Sequence, residues 1–414
     1  MLLYVLTHVL ALLLVAAAFE VTPQRVLMDE SATIKASGLN PHERVTIRAE
    51  LVDGADHAWG SKAEFVADEH GVVDVSKQAP VAGSYKSISA MGLVWSMIPE
   101  TKDANAYQPQ KQLGAQTIRF ELQREGAKPA SAELEQVSLA DGVRRIDVKG
   151  TLHGVLFEPS AQGPHPGVLV LGGSEGGVPQ RPAAWLASHG YAAFALAYFR
   201  YEDLPARLEA IPLEYFGQAI AWMRKRPEIA PERIGVMGTS RGGELALQVG
   251  SMFQIKAVVA YVPANVRFPA CCGDTSVPYA WTWTGKPLAF AAPRLARNPE
   301  LLRDAAIQVE KIGAPILMIS GEDDGVWPSS AMANAVMARL KLNHFTHRYE
   351  HLRYPHAGHR AGHQAITPEW HGHIRHPVSG REVHWGGTPE GNAQSSIDAS
   401  PKVLEFLRES LGIR

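Results

Sequence analysis

From residue 19 to about residue 149, polar and apolar side chains alternate in short runs. Residues 33–36 (Thr-Ile-Lys-Ala), 44–51 (Arg-Val-Thr-Ile-Arg-Ala-Glu-Leu) and 117–122 (Thr-Ile-Arg-Phe-Glu-Leu) place every second side chain on one face. That is the period of a half-buried strand. Turn-forming clusters separate the runs, such as Gly38-Leu39-Asn40-Pro41, Asp53-Gly54 and Glu69-His70-Gly71. Short strands at this spacing predict a small antiparallel β-sandwich over residues 19–149. No sustained helical period or internal repeat interrupts it.

Near residue 150 the pattern changes. Wholly apolar runs at 167–171, 192–197, 234–237, 257–261 and 316–319 now alternate with stretches of helical spacing at 182–189, 213–225, 243–252 and 330–340. Strands that are apolar on both faces and separated by helices predict an α/β domain over residues 150–414. Its sheet is mainly parallel, with helices on both faces. Residues 263–299 are rich in Pro, Trp and Gly without a period, which predicts a lid-like insertion. Trp281 and Trp283 within it either line an apolar pocket or form the insertion's own core.

The amino terminus differs from both regions. Residues 2–18 are apolar apart from Thr7 and His8, and Ala16-Ala17-Ala18 supplies small residues before the polar sequence begins at Phe19-Glu20. This predicts a secretory signal over residues 1–18 and an exported protein. A membrane anchor or a cytoplasmic start are the alternatives. Across the 414 residues, 40 Lys and Arg balance 42 Asp and Glu, so no basic excess exists to bind nucleic acid. The two cysteines, Cys271 and Cys272, are neighbours and can make neither a disulfide framework nor a zinc site. They read as small packing residues.

Chemistry concentrates at Gly238-Thr239-Ser240-Arg241-Gly242, a G-x-S-x-G between a buried strand and a helix. In that context the pattern is a nucleophile elbow, with glycines where a side chain would clash and the serine at the apex. A serine alcohol needs a base to take its proton and a carboxylate to orient that base. After the strand at 316–320 comes Gly321-Glu322-Asp323-Asp324-Gly325, from which Asp324 is the expected acid and Asp323 the competitor. After the strand expected at 346–352, His359 of Tyr354-Pro355-His356-Ala357-Gly358-His359 is the expected base and His356 the competitor. Backbone N–H groups of Arg241 and of Gly173 or Ser174, in the run Gly172-Gly173-Ser174-Glu175-Gly176-Gly177, are the expected oxyanion donors. Seven histidines between 356 and 384 could bind metal. They lack carboxylates at ligand spacing, so a polar loop with one catalytic histidine is expected and no metal.

Several blocks resemble the acyl-CoA thioesterase / bile acid-CoA:amino acid N-acyltransferase family of the α/β-hydrolase superfamily. They are Tyr201-Glu202-Asp203-Leu204-Pro205 with the residues before it, Leu213-Glu214-Tyr215-Phe216, Gly238–Leu245, Gly321–Asp324 with Trp327, Gly358-His359, Trp385-Gly386-Gly387 and Met91–Trp95. The resemblance implies an α/β-hydrolase domain behind a β-sandwich, with Ser240, Asp324 and His359 in the family's catalytic positions. It implies hydrolysis of acyl-CoA thioesters, coenzyme A entering as part of a small-molecule substrate rather than as a cofactor. Transferase members often carry cysteine as nucleophile, so Ser240 points toward hydrolysis. Arg241 stands where the family usually has lysine. Export from a cytoplasm that holds coenzyme A would instead favour a carboxylesterase or peptidase-like hydrolase. An acyl-CoA:amino acid N-acyltransferase and a non-catalytic binding protein complete the alternatives.

Overall fold

The computed structural model of the chain describes residues 17–292 and 299–412. The signal reading of residues 1–18 falls almost wholly outside these residues, as do residues 293–298 of the predicted insertion. Two sheets form from residues 18–137. The smaller joins Ala18–Thr22, Thr33–Ser37 and Val73–Asp74. The larger runs Arg25–Leu27, Ala130–Val137, Gln116–Gln123, Arg44–Val52, Ala58–Val66 and Ala82–Gly83, with Ile98–Pro99 also on Ala58–Val66. Burial alternates strictly along Arg44–Val52 and Gln116–Gln123, so the period seen in the sequence is the sheet's inward face. The sandwich is not purely antiparallel, because Arg25–Leu27 pairs in parallel with Ala130–Val137.

An eight-stranded sheet follows. Its strands are β1 (Arg144–Val148), β2 (His153–Glu158), β3 (His165–Leu171), β4 (Ala192–Ala197), β5 (Ile229–Thr239), β6 (Ala257–Tyr261), β7 (Ile316–Gly321) and β8 (Tyr349–Tyr354). The order is β1-β2-β4-β3-β5-β6-β7-β8, with β1, β2 and β4 meeting antiparallel and every later pair parallel. This is the α/β-hydrolase arrangement. Helices α1 (Gln180–Ser188), α2 (Glu214–Arg224), α3 (Arg241–Met252), α4 (Ser329–Leu342) and α5 (Pro389–Leu411) cover it. Helices α2, α3 and α4 cover one face, in the core that holds Leu169, Phe194, Val258 and Met318. On the other face α1 packs on β2, β3 and β4 and α5 on β5 to β8, in the core that holds Phe157, Val168, Val259 and Ile319. No helix among the described residues is long and apolar enough to cross a membrane.

Helix α5 is not visible as a periodic run in the sequence. Its buried side consists of Gly391, Asn392, Ala393, Ser395, Ser396, Ala399 and Ser400 before Val403, and Pro401 lies inside it. Small and hydroxylated residues let the helix approach closely but carry little hydrophobic signal.

The segment after the expected base joins the two halves of the molecule. Ile366 and Ala393 sit in the same core as Trp59, Phe65 and Phe120. The Ile366 N–H donates to Met28 O (2.7 Å), Glu369 N–H to Trp95 O (3.1 Å) and Gly372 N–H to Asn105 O (2.8 Å). The Trp370 ring meets Trp59 edge-on at 6.2 Å. The sandwich therefore braces the histidine loop through these three hydrogen bonds and the ring contact, on the order of 1 kcal/mol for each net hydrogen bond.

Two stability outcomes follow from this seam. Ile366→Ala should cost about 2–5 kcal/mol, read from the urea midpoint, because it opens a cavity in the shared core. Burial, reinforced by the nearby Arg360 and Arg181, pushes the His363 imidazole down to about 3. The unfolded chain takes up that proton below about pH 6.5 while the folded chain does not. Stability is thus full above pH 6.5 and falls as the pH drops toward 3. His363→Gln should flatten the decline in Tm between pH 7 and pH 4.5; an unchanged slope would remove His363 as its source.

Candidate active site

Ser240 lies between β5 and α3 at φ 61° and ψ −120°, an unusual backbone for a residue with a side chain. Its neighbours are glycines because backbone surrounds them. A Cβ on Gly238 would lie 1.9 Å from Gly242 O, and one on Gly242 would lie 2.3 Å from Leu171 O and 2.4 Å from Gly172 O. The Ser240 N–H donates to Tyr261 O at 3.0 Å, tying the apex to β6. The strand–turn–helix read from the sequence is present in full.

His359 Nε2 stands 2.9 Å from Ser240 Oγ, and its Nδ1 is 2.9 Å from Asp324 Oδ2 and 3.0 Å from Oδ1. The Asp324 side chain is 1% exposed and that of His359 11%, so this relay is shielded from solvent. Asp324 also accepts from Val326 N–H (2.9 Å) and Trp327 N–H (3.2 Å), which fixes its carboxylate. The competing residues lie elsewhere together: His356 and Asp323 face each other at 3.5 Å on the exposed side of the same loops.

The glycine before His359 has a different role from the sharp turn suggested by the sequence. A Cβ on Gly358 would lie 2.2 Å from Gly386 O, so the position demands close approach rather than an unusual dihedral. The segment Trp385-Gly386-Gly387 joins the acid and base loops. It bridges Asp324 through Gly386 and Ala357 through Gly387, and Trp385 O accepts the His359 N–H at 2.6 Å. Both glycines have positive φ (72° and 74°). Asn392 on α5 accepts the Gly358 N–H at 2.8 Å, and the Trp327 ring meets the His359 ring edge-on at 4.7 Å. These supporting residues were not assigned roles from the sequence. The clustered glycines at 386–387 were the available signal.

The expected oxyanion donors surround Ser240. Arg241 opens α3 directly after it. Gly173 comes so close that a Cβ there would lie 3.3 Å from Ser240 Cβ. Its N–H donates to Glu175 Oε1 at 3.2 Å, an interaction unforeseen in the sequence. The Ser174 hydroxyl is 2.9 Å from His376 Nε2, and Tyr198 OH donates to Gly172 O at 2.6 Å, holding the loop from beneath.

The Arg241 side chain is buried and pairs with Glu244 at 2.9 Å. Glu244 also accepts from Trp281 Nε1 (2.7 Å) and Phe268 N–H (3.2 Å). Burial pushes the Glu244 carboxyl up, against the pull of Arg241. Trp281 is core and not pocket wall, and Trp283 packs on Phe253. A cavity of about 710 Å³ opens beside the serine turn, bounded by Ser174, Arg241, Phe268, Trp327, Met332 and His376. A separate cavity of about 210 Å³ lies at the seam, lined by Tyr107, Arg181, Trp185 and His363.

Cys271 and Cys272 are joined by a disulfide on the wall of the larger cavity. The reading of them as packing residues is corrected: the two sulfurs are bonded to each other, and Cys272 sits at φ 79°. The histidines between 356 and 384 are spread over several places, with His384 4.0 Å from Glu382. His373 faces Glu382, His376 faces Ser174 and His363 is buried at the seam. Among the described residues, one three-ligand group has donor atoms within 4.8 Å of one another: His153 with Glu202 and Asp203. Its two ring nitrogens already contact those carboxylates at 2.8 and 3.1 Å.

Family profiles and curated relatives match both halves of the chain. Residues 211–413 match the family profile "BAAT / Acyl-CoA thioester hydrolase C terminal", and residues 29–150 match "Acyl-CoA thioester hydrolase/BAAT N-terminal region". Acyl-coenzyme A thioesterase 1 of Rattus norvegicus is 30% identical over 94% of this chain and 95% of its own length. Acyl-coenzyme A thioesterase 6 of Mus musculus is 31% identical over 96% and 97%. Peroxisomal succinyl-coenzyme A thioesterase of Mus musculus is 29% identical over 96% and 97%. Among solved structures, an alpha/beta hydrolase from Penicillium sp. sh18 covers 65% of this chain and all of its own, with 17% identity and a TM-score of 0.43. With both halves matched in order and relatives similar over nearly their whole length, the chain belongs to the acyl-CoA thioester hydrolase/BAAT family.

Proposed function

We propose that this protein is a serine hydrolase that cleaves acyl-CoA thioesters to a carboxylic acid and free coenzyme A. The observation that carries the reading is the continuous relay from Asp324 through His359 to Ser240 Oγ, with 2.9 Å at each link. His359 takes the Ser240 proton, and the alkoxide attacks the thioester carbonyl. Asp324 stabilises the imidazolium that forms. The tetrahedral oxyanion is received by the N–H groups of Arg241 and of the Gly173–Ser174 loop. For Gly173 to donate, its bond to the Glu175 carboxylate has to open. His359 then protonates the departing thiolate and activates water to release the acid. The cavity beside the Ser240–Arg241 turn is large and carries Phe268, Pro269, Trp327 and Met332 on its wall, which suits an acyl chain. Full-length similarity to thioesterases from two mammals supports the substrate class.

A second reading keeps the chemistry and changes the leaving group. The apolar residues 2–18 favour export, and outside the cytoplasm a simple ester is the more available substrate. Comparing kcat/KM for acyl-CoA and for p-nitrophenyl esters of the same chain length separates the two.

Ser240→Ala should lower acyl-CoA turnover by about 10⁴-fold or more with the fold intact by circular dichroism. Undiminished turnover in that variant would remove the mechanism. Asp324→Asn should lose about 10⁴-fold in kcat through the wrong imidazole tautomer. Asp323→Asn, placed on the solvent side, should lose far less. The reverse order would transfer the acid's role to Asp323.

A further inference from the structure

The chain after β6 returns along the larger cavity and is fixed there. The Arg241 guanidinium donates to Pro269 O (2.8 Å) and Phe268 O (3.3 Å). The Ala270 N–H donates to Pro278 O (2.9 Å), and the Cys271 N–H donates to Leu208 O (3.2 Å). The Cys271–Cys272 disulfide is therefore part of a fixed wall, and both residues are partly exposed. It shares that wall with Arg241, the residue after the nucleophile, and with Trp327, whose ring contacts His359. Cations flank it. Arg381 lines the same cavity, and the Arg207 Nε lies 2.7 Å from where a Cβ on Gly273 would stand.

We propose that the Cys271–Cys272 disulfide is a thiol-exchange site that captures the thiol released from the substrate at Ser240. The proposal rests on the thioesterase reading, because thioester cleavage at Ser240 would release a thiol beside this cavity, next to Arg241 on its wall. The incoming thiol loses its proton to solvent, and its thiolate attacks Sγ of one cysteine. A sulfur–sulfur bond forms between them as the Cys271–Cys272 bond breaks. The electron pair of the broken bond leaves on the other cysteine as a thiolate, which takes up a proton from solvent. One disulfide replaces another, so no outside oxidant or reductant is required. The captured tail then occupies the substrate cavity and stops turnover until the freed cysteine, or a second thiol, attacks the mixed disulfide and expels it. Product thiol thereby sets the fraction of enzyme that is open.

The test uses the full chain with its disulfide formed, and the same chain carrying Ser240→Ala. Each is incubated with coenzyme A under argon, quenched with acid, alkylated with iodoacetamide and weighed intact. One coenzyme A per chain is expected in both proteins. Peptide mapping should find it on the peptide bearing Cys271 and Cys272, with the second cysteine alkylated. The loaded parent enzyme should lose its turnover and regain it with dithiothreitol. Cys271→Ala/Cys272→Ala should gain no mass; if that variant does not fold, the peptide map of the parent decides the same point. Uptake by a parent that never cleaves thioesters would sink the functional reading while leaving exchange standing. Cleavage without uptake would overturn exchange alone. Opening of the pair by 2-mercaptoethanol but not by coenzyme A at equal concentration would also overturn it.

Discussion

The site depends on how tightly backbone packs around one turn. Ser240 is held at φ 61° because Gly238 meets Gly242, Gly242 meets the end of β3, and the Ser240 N–H is bound by β6. Three adjacent parallel strands thus define the position of one hydroxyl. Strain of this kind costs on the order of 1–3 kcal/mol and persists only where the surroundings over-determine it. The eight-stranded sheet, apolar on both faces and covered by helices, supplies that rigidity.

The base and acid are placed differently. They ride on two loops at the ends of β7 and β8, and loops have no ladder of their own to fix them. A third segment, Trp385-Gly386-Gly387, runs between the loops and bonds to both. Asn392 at the start of α5 holds the histidine loop from behind, and Thr388 caps that helix through Gly391 N–H. Just beyond His359 the chain enters the core of the N-terminal sandwich at Ile366. A domain that contributes no member of the relay therefore stiffens the histidine's support.

Charge has been placed under the site as well. Arg241 and Glu244 are both buried, one turn apart on α3, and Glu244 gathers the insertion through Trp281 and Phe268. A buried pair of this sort is weak support for stability in itself, because desolvation offsets the attraction. Its effect here is on arrangement. It fixes the wall of the cavity to the helix that begins at the nucleophile, and the disulfide at Cys271–Cys272 continues the same wall.

Local order was open to reading along the chain. Alternation over Arg44–Val52 and Gln116–Gln123, continuous apolar runs at β3, β4, β6 and β7, and the glycine-flanked Ser240 each declare themselves within ten residues, because strand period and turn sterics are short-range. The choice of Asp324 over Asp323 and of His359 over His356 followed from spacing and from family resemblance, and the coordinates bring the chosen pair to Ser240. Helix α5 escaped notice because close packing is done there by Ser, Gly and Asn, which no hydrophobic pattern reveals. The Gly173–Glu175 bond, the support from Gly386 and Asn392, and the pairing of two cysteines first read as packing also lay beyond it. Those features are contacts between residues that only three-dimensional closure brings together. Sequence determined which residues could do chemistry; tertiary structure decided which of them meet, because a hydrogen bond depends on distance in space and not on distance along the chain.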